Sequence, residues 1–119
     1  MRVLVTGSAG RIGAEVVRDL GARGYTLRTM DRRAAARDSA CEHYPGDVCS
    51  ILDVRRAVSG MDAVVHLAAI ASDRRGSEDQ VLTTNVQGTW NVLLACQEAG
   101  AKRAVVMSSI NSLGCFGGH

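Results

Sequence analysis

The segment Thr6-Gly7-Ser8-Ala9-Gly10-Arg11-Ile12-Gly13 constrains this chain more than any other. It follows a short apolar run, Val3-Leu4-Val5, and opens a stretch of helical periodicity with Ile12, Val16, Val17 and Leu20 on one face. The three glycines suit, in order, a tight exit from a strand, a close backbone approach to a ligand, and close packing of helix on sheet. The first amides of such a helix lack internal partners and face an incoming anion, helped by the helix dipole. Gly7, Ala9, Gly10, Arg11, Ile12 and Gly13 are therefore the candidate pyrophosphate-binding residues. Glycine turns also serve simply as turns. Here the strand before, the helix after and an acid at the end of the next strand favour a dinucleotide.

That acid is Asp31, eighteen residues beyond Gly13, closing a strand read over Tyr25 to Met30. Its carboxylate can accept both hydroxyls of an adenosine ribose, although a solvated acid at a strand end would look the same. A 2′-phosphate there would set like charges ~4 Å apart, costing ~1 kcal/mol per pair in water and ~4 near a protein surface. NAD is thus expected over NADP, with Arg32 and Arg33 able to soften the preference by pairing with a phosphate.

The remaining chain alternates short β-branched runs with helical patterns, the signature of βαβ units and a parallel sheet. A third strand is read near Glu42 to Tyr44, and a fourth over Asp62 to Leu67. Val105-Val106-Met107 reads as the fifth. Ser50 with Asp53 resembles a capping box opening a short helix that closes before Gly60. Ser77 with Gln80 makes a second, after a polar loop from Ser72 to Asp79, and its helix is expected to run unbroken to Ala99 with Gly100 as the stop. Right-handed crossovers give a Rossmann-type, doubly wound α/β sheet of order 3-2-1-4-5, with ligands expected beyond the carboxyl ends of the strands.

At 119 residues the chain is read as one domain, residues 1–119. Its net charge of +2 is spread over isolated pairs such as Arg55-Arg56, which argues against nucleic acid or an anionic membrane as partner. No cysteine pair has zinc or redox spacing, so reduced thiols are expected, with Cys96 a small core residue. A strand starting at Val3 leaves no room for a signal peptide, and a cytoplasmic location is expected.

The three-and-three spacing of Gly7, Gly10 and Gly13 resembles the extended short-chain dehydrogenase/reductase family, the NAD-dependent epimerases and dehydratases. Three further segments carry the resemblance: Gly46-Asp47-Val48, Asp62-Ala63-Val64-Val65-His66-Leu67-Ala68-Ala69, and Asn85-Val86-Gln87-Gly88-Thr89-Trp90-Asn91-Val92-Leu93. It implies Asp47 at the adenine amino group, Val48 at the adenine ring, and Leu67, Ala68 and Ala69 along the ribose–pyrophosphate cleft. Asn85 then helps to order the site, and Ser108 stands beside the cofactor. Ser109, in Ser108-Ser109-Ile110-Asn111-Ser112-Leu113-Gly114, is implied as the catalytic hydroxyl that hydrogen-bonds the substrate oxygen. Leu113 departs from the tyrosine usual before that glycine. Blander roles stand beside these: Asp47 capping a turn, His66 a hydrogen-bonded core histidine, Trp90 core or interface, Ser109 a strand-end serine.

The resemblance also implies a Tyr-x-x-x-Lys pair, and none exists here. The tyrosines are Tyr25 and Tyr44 and the lysine is Lys102. Without that base, hydride transfer should lose roughly 10²- to 10⁴-fold. The chain therefore reads as the amino-terminal part of such an enzyme, truncated after the fifth strand, binding cofactor without efficient turnover. The full-length enzyme would act on a secondary alcohol of a small molecule, such as a nucleotide sugar or sugar acid. A stand-alone NAD sensor and an NADP-dependent atypical reductase or regulator are the competing readings. The exposed fifth strand and the helix before it predict a homo-oligomer.

Overall fold

The computed structural model describes residues 1–34, 41–70 and 77–108. Five parallel strands, β1 (Arg2–Thr6), β2 (Thr26–Asp31), β3 (Glu42–Pro45), β4 (Ala63–His66) and β5 (Arg103–Val106), form one sheet of order β3-β2-β1-β4-β5. The order inferred from the alternation of apolar runs is the one observed. Register brings the carboxyl ends level, with Thr6 opposite both Met30 and His66, and His66 opposite Val106. The residues that end β1, β2 and β4 therefore share one edge.

Helices cover both faces. Helix α1 (Arg11–Ala22) lies over a small cluster of Val3, Leu27 and Ala63, to which it contributes Val17 and Leu20. The opposite face carries the larger core, in which Leu4, Met30 and Val64 meet Val54, Ala57 and Val58 of α2 (Ile51–Val58). Val92, Ala95 and Cys96 of α4 (Gly88–Ala99) complete it, so Cys96 is the small core residue its pattern suggests. Ser50 caps α2 by accepting the Asp53 N–H, but the capping box is only half made: the Asp53 carboxylate turns instead to the Asp47 N–H, 3.1 Å away.

Two expectations change. Ile12 does not join the buried face of α1; it is exposed, because Gly13, Val17 and Leu20 form the face that meets the sheet. The helix opened by the Ser77–Gln80 capping box is not continuous. A short α3 (Glu78–Leu82) leads into a π-helical turn, Thr83–Gln87, and only then into α4. In that turn the Gly88 N–H reaches back five residues to the Thr83 carbonyl. The Thr83 and Thr89 hydroxyls donate to the carbonyls four residues earlier, Asp79 and Asn85. Such back-bonding competes with the regular ladder, and single π turns gather at functional sites. Of the two roles weighed for Trp90, core or interface, its 64% exposure leaves interface.

The predicted stops hold. Gly100 ends α4 at φ +73°, in the left-handed region, and α2 closes at Val58, before Gly60.

Candidate functional site

The site is built from the turn that joins β1 to α1. Gly7 has φ +69°, and a Cβ there would stand 2.6 Å from the Ala68 amide nitrogen, so neither the conformation nor the space admits a side chain. Gly13 is fixed differently, since its Cβ would collide with the Gly7 carbonyl. Its glycine serves the turn itself more than helix-on-sheet packing. Gly10 is the least constrained by its own chain: a Cβ would meet the Gly7 oxygen at 3.3 Å and an Arg33 nitrogen at 3.9 Å. Gly10 is also the N-cap of α1, offers no side chain to the first amides, and is followed by no acid in the first turn. That leaves an uncapped helix end with the partial positive charge that suits an anion.

Asp31 closes the other side of this turn. Its Oδ2 accepts the Ala9 N–H at 3.0 Å, and its Oδ1 accepts the Arg33 N–H at 2.9 Å and Arg33 Nε–H at 3.1 Å. Burial pushes its carboxyl up, but the bonds from the Arg33 backbone, the Arg33 guanidinium and the Ala9 backbone outweigh burial and hold it below the usual carboxylate value. The arginines expected to be free for a phosphate are thus engaged with carboxylates, Arg33 with Asp31 and Arg32 with Asp47 at 3.8 Å.

A cleft of about 360 Å³ opens between these groups, lined by Gly7, Gly10, Asp31, Arg32, Arg33, Gly46, Asp47, Val48, Leu67, Ala68, Ala69, Ile70 and Thr84 among others. Most of the residues singled out from the sequence therefore come together. Asp47 caps a turn, its Oδ1 accepting the Cys49 N–H at 2.9 Å, and it also lines the cleft. Val48 is wall and core at once; its carbonyl accepts an Asn91 N–H, and a Cβ on Gly88 would stand 2.7 Å from its Cγ2. Asn85 stands back from the lining and grips the loop after β4, accepting the Ile70 N–H at 2.8 Å and donating to the Ile70 carbonyl at 3.1 Å. Arg11 and Ile12 are exposed on the first turn of α1. Ser108 lies just past β5, and Ser109 falls outside the described residues. A larger hollow of about 490 Å³, lined by Arg2, Tyr25, Arg28 and Glu42 among others, sits at the amino-terminal ends of the strands. Open parallel sheets bind ligands at the carboxyl ends, which favours the smaller cleft.

Ile70 and Thr84 also line the cleft and were not singled out. Neither had a local signal.

A parallel sheet of this order, with a glycine turn and an acid flanking a cleft at its carboxyl edge, defines a Rossmann-type dinucleotide fold. The chain belongs to the NAD dependent epimerase/dehydratase family, whose model matches residues 3–116. Among curated proteins it is 36% identical over 118 residues to sterol demethylase protein B of Methylococcus capsulatus, covering 96% of this chain and 36% of the relative. A short-chain dehydrogenase/reductase superfamily protein of Agrobacterium tumefaciens, solved with bound NAD, superposes with a TM-score of 0.79 at 37% identity, over 92% of this chain and 33% of that one. The UDP-glucose 4-epimerase of Thermus thermophilus, in complex with NAD, gives 0.77 at 34% identity, over 87% and 36%. The chain spans about a third of the length of the curated relatives it matches. Among the described residues no helix is long and apolar enough to cross a membrane.

Proposed function

We propose that residues 1–119 form the NAD-binding domain of an NAD-dependent epimerase, dehydratase or sugar dehydrogenase, with the dinucleotide laid along the cleft at the carboxyl edge of the sheet. The observation that carries this reading is the Ala9–Asp31 bond, which sets a buried carboxylate beside an uncapped helix end. The residues fit the group. The pyrophosphate takes the amides of Arg11 and Ile12, in the space that Gly10 leaves and Gly7 and Gly13 shape, while Ala9 lines that turn with its N–H on Asp31. The ribose diol takes Asp31; its Oδ1 already holds two Arg33 N–H groups, so the exposed Arg33 guanidinium gives way. Asp47 reaches the adenine amino group, with Arg32 beside it, and Val48 packs on the ring. Leu67, Ala68 and Ala69 line the ribose–pyrophosphate path, Asn85 orders their loop, and Ser108 stands toward the nicotinamide.

NAD, when bound, would supply hydride transfer at a secondary alcohol, and Ser109 is the hydroxyl assigned to the substrate oxygen. This chain holds no Tyr-x-x-x-Lys pair, so it binds cofactor without efficient turnover. Self-association through α4 and β5 is part of the same reading.

Calorimetric titration tests it. NAD should bind the purified chain more tightly than NADP, and Asp31→Ala should weaken NAD at least tenfold, the loss of a charged hydrogen-bond partner. Binding of neither dinucleotide would overturn the proposal. Tighter binding of NADP would overturn the role given to Asp31.

A further inference from the structure

We propose that His66 is a positioning residue for the dinucleotide cleft: as a neutral imidazole with its proton on Nε2, it ties the glycine-rich turn to the π-helical turn and the loop after β4, and protonation unties them. The inference rests on the reading that this cleft holds NAD.

His66 is 3% exposed and stands between two hydroxyls, with Nδ1 2.7 Å from Thr6 Oγ1 and Nε2 3.1 Å from Thr89 Oγ1. Each hydroxyl has one proton to give. The Thr89 proton goes to the Asn85 carbonyl at 2.7 Å, so Thr89 can only accept from the ring, and Nε2 must carry hydrogen. Thr6 Oγ1 already accepts the Leu67 N–H at 3.1 Å and the Ala68 N–H at 3.3 Å, so its own proton is directed at Nδ1. The opposite tautomer would press a third donor on Thr6 and face a bare Nε2 with the lone pairs of Thr89. An imidazolium fails at Thr6 in the same way. One protonation state of the ring satisfies both ends.

Every member of this chain of bonds holds a wall of the cleft. Thr6 precedes Gly7, the Leu67 and Ala68 amides start the loop after β4, and Asn85 grips Ile70 further along that loop. The charged and titratable side chains on the surrounding elements are Arg2 on β1, Asp53, Arg55 and Arg56 on α2, Cys96 and Glu98 on α4, and Arg103 on β5. Among the described residues none of them bonds to His66; Arg55 pairs with Glu98, and Asp53 takes the Asp47 N–H. Burial pushes the imidazole below its ordinary 6.5, with no charged neighbour opposing it. The folded state therefore prefers the neutral ring. Its contribution is present above 6.5 and is lost as pH falls through the folded value.

Two measurements test this. Long-range ¹⁵N NMR of the imidazole, assigned against His66→Gln, should show the Nε2–H tautomer at pH 7.5; the Nδ1–H tautomer or an imidazolium would overturn the relay. NAD affinity should fall about tenfold on acidification through the His66 titration. In His66→Gln it should be weaker at pH 7.5 and flat across the same range. A His66→Gln profile that keeps the wild-type slope would overturn the coupling. If that variant does not fold, Thr89→Val and Thr89→Ser replace it: Val should weaken NAD roughly tenfold and Ser should restore it, and equal losses would refute the proposal. If the wild-type chain binds no NAD at all, it is the reading of the cleft that fails, and the tautomer measurement still judges the relay.

Discussion

A methyl group placed on Gly13 would land on the Gly7 carbonyl, whereas one on Gly10 would meet that same oxygen at 3.3 Å and otherwise face the cleft. One sequence pattern thus covers two physical requirements. Gly13→Ala forces the backbone of the turn apart and should cost about 3 kcal/mol, at the upper end of overpacking penalties. Gly10→Ala asks the Gly7 oxygen to move by a few tenths of an ångström, a change of about 1 kcal/mol or less. Its effect belongs to the ligand, since a Cβ there fills the approach to the pyrophosphate, and NAD affinity should drop more than tenfold. Urea unfolding and NAD titration of both variants separate the two effects. Similar stability losses would show that Gly10, too, is held by the chain and not reserved for a ligand. Asp31 and His66 are each held in one charge state as well, Asp31 by the N–H groups of Arg33 and Ala9, His66 by burial between Thr6 and Thr89.

At the scale of elements, the two serine caps look alike in sequence and should behave differently. Ser50 opens α2, which buries Val54, Ala57 and Val58 in the main core. Ser77 opens α3, which buries none of its residues. A lost N-cap is worth about 1 kcal/mol to its helix, but global stability registers it only where that helix is bound to the core. Ser50→Ala should therefore lower the unfolding free energy by about 1 kcal/mol. Ser77→Ala should speed amide exchange in residues 78–82 while the unfolding midpoint stays put. Equal shifts in the midpoint would contradict this division. The caps were legible because a capping bond spans three residues, and the sheet order because each strand announces itself by a local apolar run. Of the cleft lining, Gly7, Gly10 and Asp31 were legible from turn and charge, and Asp47, Val48, Leu67, Ala68 and Ala69 through motif resemblance. The π-helical turn was not: the Thr83 and Thr89 back-bonds are local, but Asn85 also clamps Ile70, and Gly88 passes where a Cβ would meet Val48. The exposure of Ile12 escaped for a related reason. Periodicity gives the width of an apolar face but not which flank of it meets the sheet. The His66 relay was hidden too, its partners lying 60 and 23 residues away.

The whole molecule shows an imbalance that no single element reveals. Leu82, Val86, Trp90 and Leu93 follow one another at spacings of four, four and three along the helical layer, and they are 61%, 60%, 64% and 44% exposed. Val105, Val106 and Met107, at the β5 edge, are exposed as well. A stripe of this kind on a helix marks a face that meets another surface. A second copy is the occupant proposed here, because a two-fold pairs the stripe with itself and doubles the apolar area from one feature. Eight such side chains, each gaining about 1–2 kcal/mol on losing its remaining exposure, contribute roughly 8–16 kcal/mol. Association costs about 4–15 kcal/mol in lost freedom. The net reaches the ~8 kcal/mol of a micromolar dimer only where the gain is at its upper end and the cost at its lower, so the dimer expected is a reversible one and not an obligate one. Sedimentation velocity from about 1 to 100 µM should show the monomer giving way to dimer. Trp90→Asp should abolish the shift. Leu52→Asp is the control, since Leu52 is 60% exposed on α2 and off the stripe, and it should leave association unchanged. The single tryptophan supplies an independent signal, its emission moving to the blue with concentration as Trp90 leaves water. A chain that stays monomeric at about 100 µM, or loses association equally with Leu52→Asp, would place the partner of this stripe elsewhere than on a second copy.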